Sequence, residues 1–352
     1  MLKLFLSLFV AAALSVTVVL SCPRGLVAQE TPVQTPPQET QQVDPFTQNI
    51  NHLKDKDVNV RRQAVEALLT SRDNRAVPHL IVALKDTDAF VRSGSANALG
   101  LLRAKESVQE LSRLVTEDTV PEVRQSAAVA LSYIYDKSVV PALLKGLSDS
   151  NEGPKYACMQ TLGILKSTEA VAPLIAFLSD TNKNTRLNAI NALGTIGDRS
   201  ASASIREGLK DPDLNIKMET IRVLAVLNDT EGIPSLKELL DDPDKQIKIR
   251  SANALSKLGD QSGLNLAIKL ASDKDSSTRI IAIDTLGNIP TQQVLAVLKK
   301  AVTDTDRNVQ QTARFALQKV EFKLRSQKKA APAKPPVKQA PAKTTTPKTT
   351  TP

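Results

Sequence analysis

The sequence predicts an all-α solenoid of about nine two-helix units. Three observations carry this. One leucine recurs along most of the chain at a nearly constant interval, other columns of fixed chemistry keep step with it, and only 3% of the residues are aromatic, with Trp absent. Compact enzymes usually place aromatics in their cores, whereas helical arrays rich in Leu, Ala and Val bury many small contacts instead. At 352 residues with 41% apolar content, the chain is long enough for one large domain or two.

The leucines are Leu68, Leu99, Leu131, Leu162, Leu193, Leu224, Leu255, Leu286 and Leu317, with steps of 31, 32 and then 31 six times. A register held through nine units is the signature of a repeat array. Seven residues before each leucine stand Arg61, Arg92, Arg124, Lys155, Arg186, Lys217, Lys248, Arg279 and Gln310, so eight of nine are basic. Thirteen residues before it stand Asp55, Asp86, Asp118, Asp149, Asp180, Asp211, Asp242, Asp273 and Asp304. At −4 every unit places a small residue, Cys158 among them.

Each unit reads as two helices. The first is typified by 78–84 or 234–240, and Pro78, Pro141, Pro173 and Pro234 suit a first turn, where no backbone donor is lost. A polar turn follows, and its second polar residue (Asp57, Asp88, Asn151, Asn182, Asp213, Asp244, Asp275, Asp306) is placed to cap the second helix. That helix runs to the leucine, and Gly100, Gly163, Gly194 and Gly287 just after it are expected to help end it. Positions −8, −4, −1, 0 and +3 share one helical face, for example Ile247, Ser251, Ala254, Leu255 and Leu258. A lone hairpin cannot bury that face, so the units must stack and the terminal ones act as caps.

The ends differ from the body. Lys3 precedes an apolar run from Leu4 to Leu20, the layout of a secretory signal and short for a membrane span. Residues 1–28 are therefore read as an export signal, and the protein as exported to the periplasm or held in a bacterial envelope as a lipoprotein. Val19-Leu20-Ser21-Cys22 resembles a lipobox that would make Cys22 an acylated first residue; the alternative is cleavage after Ala28. Residues 29–45, rich in Pro, Gln and Thr, read as a disordered linker. The repeats are read over 46–322. Residues 323–352 form a basic Lys/Ala/Pro/Thr tail with eight Lys or Arg and no acid. The chain carries a formal charge of +9, so removing those eight leaves about +1 on everything else. The body thus has no net field to attract nucleic acid. The tail reads as a solubilising extension or as an attachment to an anionic envelope polymer or lipid.

The repeat resembles the short bacterial HEAT repeat, also called the phycobilisome-lyase HEAT-like repeat. The residues that carry the likeness are Val91-Arg92 with Ala96, Ala98, Leu99 and Gly100, and Asn191-Ala192-Leu193-Gly194 with Ile196-Gly197-Asp198. The resemblance spans roughly 46–322 and implies a right-handed superhelix with second helices lining the concave side. It specifies fold more than function. The tetratricopeptide period and the ankyrin Thr-Pro-Leu-His motif are both missing. Two enzymes share the repeat. Deoxyhypusine hydroxylase holds iron on His-Glu pairs, but His52 and His79 are not followed by Glu. Chromophore lyases hold a pigment and its acceptor protein, a cytoplasmic task that an exported chain fits poorly.

No Ser/His/Asp set, phosphate loop or metal-ligand spacing stands out. The Arg and Asp columns read as an inter-repeat ladder, because a catalytic site would occur once and not nine times. Cys158 reads as packing, and the two histidines as surface or first-helix residues. No cofactor is expected. One feature reads as a site for a protein or peptide partner. Position −6 should face away from the core, yet the middle units place Tyr156, Leu187, Met218, Ile249 and Ile280 there, flanked by Ala157 and Ile281. At −2, Gln160, Asn191, Arg222, Asn253 and Asp284 line the edge. An apolar stripe rimmed by amides and charges suits a groove for a peptide or helix; the alternative is burial between neighbouring repeats by superhelical curvature. The expected function is a non-enzymatic envelope scaffold, with an envelope-attached structural protein as the alternative and a chromophore-lyase-like repeat enzyme as a distant third.

Overall fold

The computed structural model describes residues 44–330. Cys22, the cleavage site at Ala28, the linker up to 43 and the tail from 331 lie outside them. Eighteen helices among the described residues form nine pairs: α1 (Pro45–His52) with α2 (Val58–Ser71), α3 (Val77–Ala83) with α4 (Ala89–Leu101), α5 (Val108–Glu117) with α6 (Pro121–Ile134), α7 (Val140–Gly146) with α8 (Glu152–Ile164), and α9 (Val171–Ala176) with α10 (Lys183–Ile196). Then come α11 (Ser202–Arg206) with α12 (Leu214–Val226), α13 (Ile233–Glu238) with α14 (Lys245–Lys257), α15 (Leu264–Leu270) with α16 (Ser276–Gly287), and α17 (Gln292–Ala301) with α18 (Arg307–Ala330). This is the expected all-α solenoid.

The second helix of each unit is the longer one, and it starts where the polar turn predicts. Asp57, Asp88, Asn182, Asp213, Asp244 and Asp275 each accept a backbone N–H of the first turn, and Asp306 accepts those of Asn308 and Val309. Asn151 is the exception, because its amide turns to Ser150 Oγ instead.

The helix ends differ from expectation at Gly100, Gly163 and Gly194. These lie inside their helices, and a left-handed residue at +4 does the ending: Arg72, Arg103, Tyr135, Lys166, Gly197, Asn228 and Gly259 all have positive φ. The glycines serve a close approach of helices. A Cβ on Gly100 would stand 2.7 Å from Ala130 Cα in the next unit, and one on Gly194 would stand 2.7 Å from Val223 Cγ2. Only Gly287 sits at a helix end.

The predicted core face is buried. Ile247, Ser251 and Leu255 are inaccessible, Ala254 nearly so, and Leu258 is half-buried. Eight of the nine anchor leucines are at most 1% exposed, and Leu317 of the last described unit is half-buried. Successive second helices pack directly on one another, while contacts between successive first helices are sparser. The second helices are the ones that the resemblance to HEAT-like repeats places on the concave side. The last helix runs to Ala330, past position 323, where the tail was read to begin. No proline falls between Pro290 and Pro332, and Leu324 packs against the core.

Candidate functional site

The charged columns assemble as a ladder between units. The −13 aspartate accepts the backbone N–H two residues on in all nine units, which orders the turn. The −7 arginine reaches the aspartate of the following unit through two parallel hydrogen bonds, as in Arg92 to Asp118 at 2.7 and 2.9 Å, with the same fork at Arg61, Arg124, Arg186 and Arg279. Its remaining nitrogen donates to the carbonyl of the aspartate in its own unit. The guanidinium beside Asp149 and Asp304 holds each carboxyl below its ordinary range. Where the column switches to lysine the rung weakens. Lys217 sits 3.5 Å from Asp242, and Asp273 is taken by Lys245 at 2.9 Å and not by Lys248. A point-charge ammonium lacks the fork that matches a carboxylate. The five arginines and the nine aspartates of the ladder all have structural partners, so these side chains are committed to stacking.

Cys158 is buried, with its thiol pushed up to about 12 by burial. Its Sγ lies where a Cβ on Gly146 would come within 2.5 Å, so its size is what the position uses. His52 and His79 are half-buried in first helices. Among the described residues, no three His, Cys, Asp or Glu side chains come together in a way that could hold a metal ion.

The −6 row is half-buried at Tyr156, Leu187, Met218 and Ile280, and fully buried at Ile249. The cause is the close stacking of second helices, which pushes each −6 side chain against the next unit; Tyr156 Oη lies 3.2 Å from Thr185 Oγ1 in that unit. Ile249 therefore belongs to the core. At −2, Gln160 and Arg222 are exposed, and Asn191 and Asn253 are half-buried. The rim residues also bond one another across units. Asn253 donates to Asp284 at 2.8 Å, and Arg222 reaches Asn191 at 3.5 Å.

The structure brings Met218, Ile280, Arg222 and Asn253 together in one open cleft of about 580 Å³, walled by α12, α14 and α16 and reaching Thr312 of α18. Tyr156, Leu187, Gln160 and Asn191 lie outside it, on the units before. The sequence reading missed a second apolar row at +2, where Leu101, Tyr133 and Val226 are 40%, 49% and 58% exposed. The signal was present, since −6, −2 and +2 are four residues apart and share one stripe of the helix. It also missed Arg250, which lines the same cleft.

Comparison with known proteins gives matches along the solenoid. HEAT repeats match residues 47–132, 121–182, 171–249 and 233–318. Protein YibA from two strains of Escherichia coli is 34% identical over 90 residues, which is 25% of this chain and 32% of YibA. The chain thus matches about a third of the length of these curated relatives. The X-ray structure of Escherichia coli YibA superposes with a TM-score of 0.52 at 17% identity, over 76% of this chain and 99% of that one. The complex of CpcE and CpcF of phycocyanin lyase from Nostoc sp. PCC7120 is more distant, with a TM-score of 0.35 at 22% identity over 83% of this chain and 99% of that one. The likeness to YibA extends the fold, and the other carries no argument.

Proposed function

The chain belongs to the HEAT-repeat family, and from that premise we propose that it is a non-enzymatic scaffold of the bacterial envelope that holds a partner protein on its second-helix face. The observation that carries this reading is the exposed apolar side chains at +2 of the second helices: Leu101 and Tyr133 on adjacent units, and Val226 further along beside the half-buried Met218 and the exposed Arg222. Large apolar side chains aligned across units cost solubility unless something covers them. Function otherwise has little to rest on in this body, because each repeated column is already used in stacking, capping or the ladder.

The envelope location rests on the apolar run from Leu4 to Leu20 behind Lys3. Among the described residues no helix is long and apolar enough to cross a membrane, so attachment would come from Cys22 or from the tail. A second reading, a structural protein bound to an anionic wall polymer, is favoured by the eight basic residues and absent acids of 323–352.

Exposed positions test the scaffold reading better than half-buried ones such as Leu187, because replacing them leaves the core intact. Tyr133→Glu with Val226→Glu is expected to abolish cross-linking to a specific partner in the native envelope while the melting curve stays within a degree or two. Unchanged cross-linking by the folded double variant would refute the proposed face. Removal of residues 331–352 separates the second reading: lost envelope association with intact partner cross-linking assigns the tail to attachment alone.

A further inference from the structure

The cleft between α12, α14 and α16 has an apolar floor and one cation that the protein does not neutralise. Met218, Val226, Ile280 and Ile281 provide the floor. Arg250 enters from α14, and its Nε is shut off from solvent with no hydrogen-bond partner. The carboxylates nearby are already committed. Glu219 holds Arg222 through Nε at 2.9 Å. Asp284 accepts from Asn253 at 2.8 Å and faces Lys257 at 3.6 Å. The arginines of the −7 column each grip an aspartate, Arg62 has Asp88, and Arg222, in the same cleft, has Glu219. Arg250 forms no ion pair, and its terminal nitrogens, which unlike Nε are not shut off, are the ones that a carboxylate in the cleft would meet.

We infer that this cleft takes an acidic, apolar segment of the partner protein, seating an aliphatic side chain on the floor and placing a Glu or Asp carboxylate on Arg250. Charge complementarity selects this occupant. The single unpaired cation matches a carboxylate, planar and bidentate toward a guanidinium, and nucleic acid would need several phosphate contacts. A volume of about 580 Å³ holds one or two side chains and not a folded surface. The inference rests on the proposed second-helix face as the partner surface.

The test uses the mature full chain and fluorescein-labelled helical peptides with two Glu-Leu-Leu-Glu blocks, a Gln-for-Glu counterpart as the neutral probe, and dodecanoate as a competitor. In fluorescence polarisation the acidic probe should bind about ten-fold more tightly than the neutral one, the worth of one charge-assisted contact. Arg250→Gln should erase that difference without weakening the neutral probe or lowering the melting temperature, and Arg250→Lys should restore part of it. The inference is overturned if the ratio survives in Arg250→Gln, if neither peptide binds, or if dodecanoate displaces both while a peptide preference is absent. Val226→Glu keeps the two levels apart. If it removes neutral-probe binding while Arg250→Gln leaves the acid preference unchanged, the face stands and the acidic occupant falls. If it changes neither probe binding nor partner cross-linking, the face itself falls.

Discussion

At the scale of single residues, the −4 column shows what stacking demands. It is uniformly small because the first helix of the same hairpin rests on it: a Cβ on Gly146 would meet Cys158 Sγ, and one on Gly208 would meet Thr220 Oγ1. Size is the requirement, and polarity is incidental. Ser95, Thr220 and Ser251 hide hydroxyls that find no hydrogen-bond partner. An unpaired buried hydroxyl costs about 1–3 kcal/mol relative to a partnered one. Ser251→Ala is therefore expected to leave stability unchanged or raise it by up to about 1 kcal/mol, read as the urea midpoint. A loss of more than about 1 kcal/mol would mean that the hydroxyl has a partner. The same column shows where sequence reading succeeds. A small residue at −4 is legible as close packing, and Cys158 fits there as a spacer. The role of Gly100 was not legible in the same way. Glycine beside a helix end suggests a terminator, and only the position of Ala130 in the next unit shows that it is a contact. The unpaired state of Arg250 is hidden for a similar reason, since it depends on where Glu219 and Asp284 place their charge.

At the scale of elements, the ladder ties each second helix to the turn that follows it in the next unit. Its acidity profile follows from the shifts. Asp149 and Asp304 are held below their ordinary value by Arg124 and Arg279, and outside the ladder the helix-capping Asp88 is lowered to about 2 by Arg62. A carboxyl with a depressed folded value binds protons more readily when unfolded. Its contribution is complete above about pH 4 and is lost as pH falls toward 2. Thermal melts should hold steady from pH 7 to about 4.5 and drop below it. Asp149→Asn should cost about 1.5–3 kcal/mol at pH 7, the worth of hydrogen bonds to a charged group, and less at pH 3, where the unfolded chain takes up a proton that the folded carboxyl resists. A constant cost across that range would assign the loss to geometry and not to charge. The ladder was legible in the nine-fold columns. The +2 positions were legible as part of the stripe shared with −6 and −2, but their exposure was not, because nothing in one helix distinguishes an open side chain from one covered by a neighbour. Stacking decides this: Tyr133 is half-exposed while Leu131, two residues earlier, is inaccessible.

At the scale of the whole solenoid, the core is not one continuous cluster. Buried side chains from Ile50 to Leu255 form one group and those from Ile249 to Val320 another, and they interleave on α14, where Ile247 and Leu255 join the first while Ile249 and Ala252 join the second. In a row where each unit touches only its neighbours, stability is a sum of units and interfaces, and a weak interface lets one segment open before the rest. The segment α15 to α18 should therefore exchange amide hydrogens as a group distinct from α4 to α12. Leu298→Ala, at an inaccessible site in the second cluster, is expected to remove about 2–5 kcal/mol of protection there and to leave Leu99 and Leu131 with native exchange rates. The Arg250 cleft lies on the seam between the clusters, so an occupant bridging α12, α14 and α16 would couple them and raise protection in α15 to α18 first. Uniform loss of protection along every helix in Leu298→Ala would show that the row melts as one unit, and the seam would then have no thermodynamic meaning.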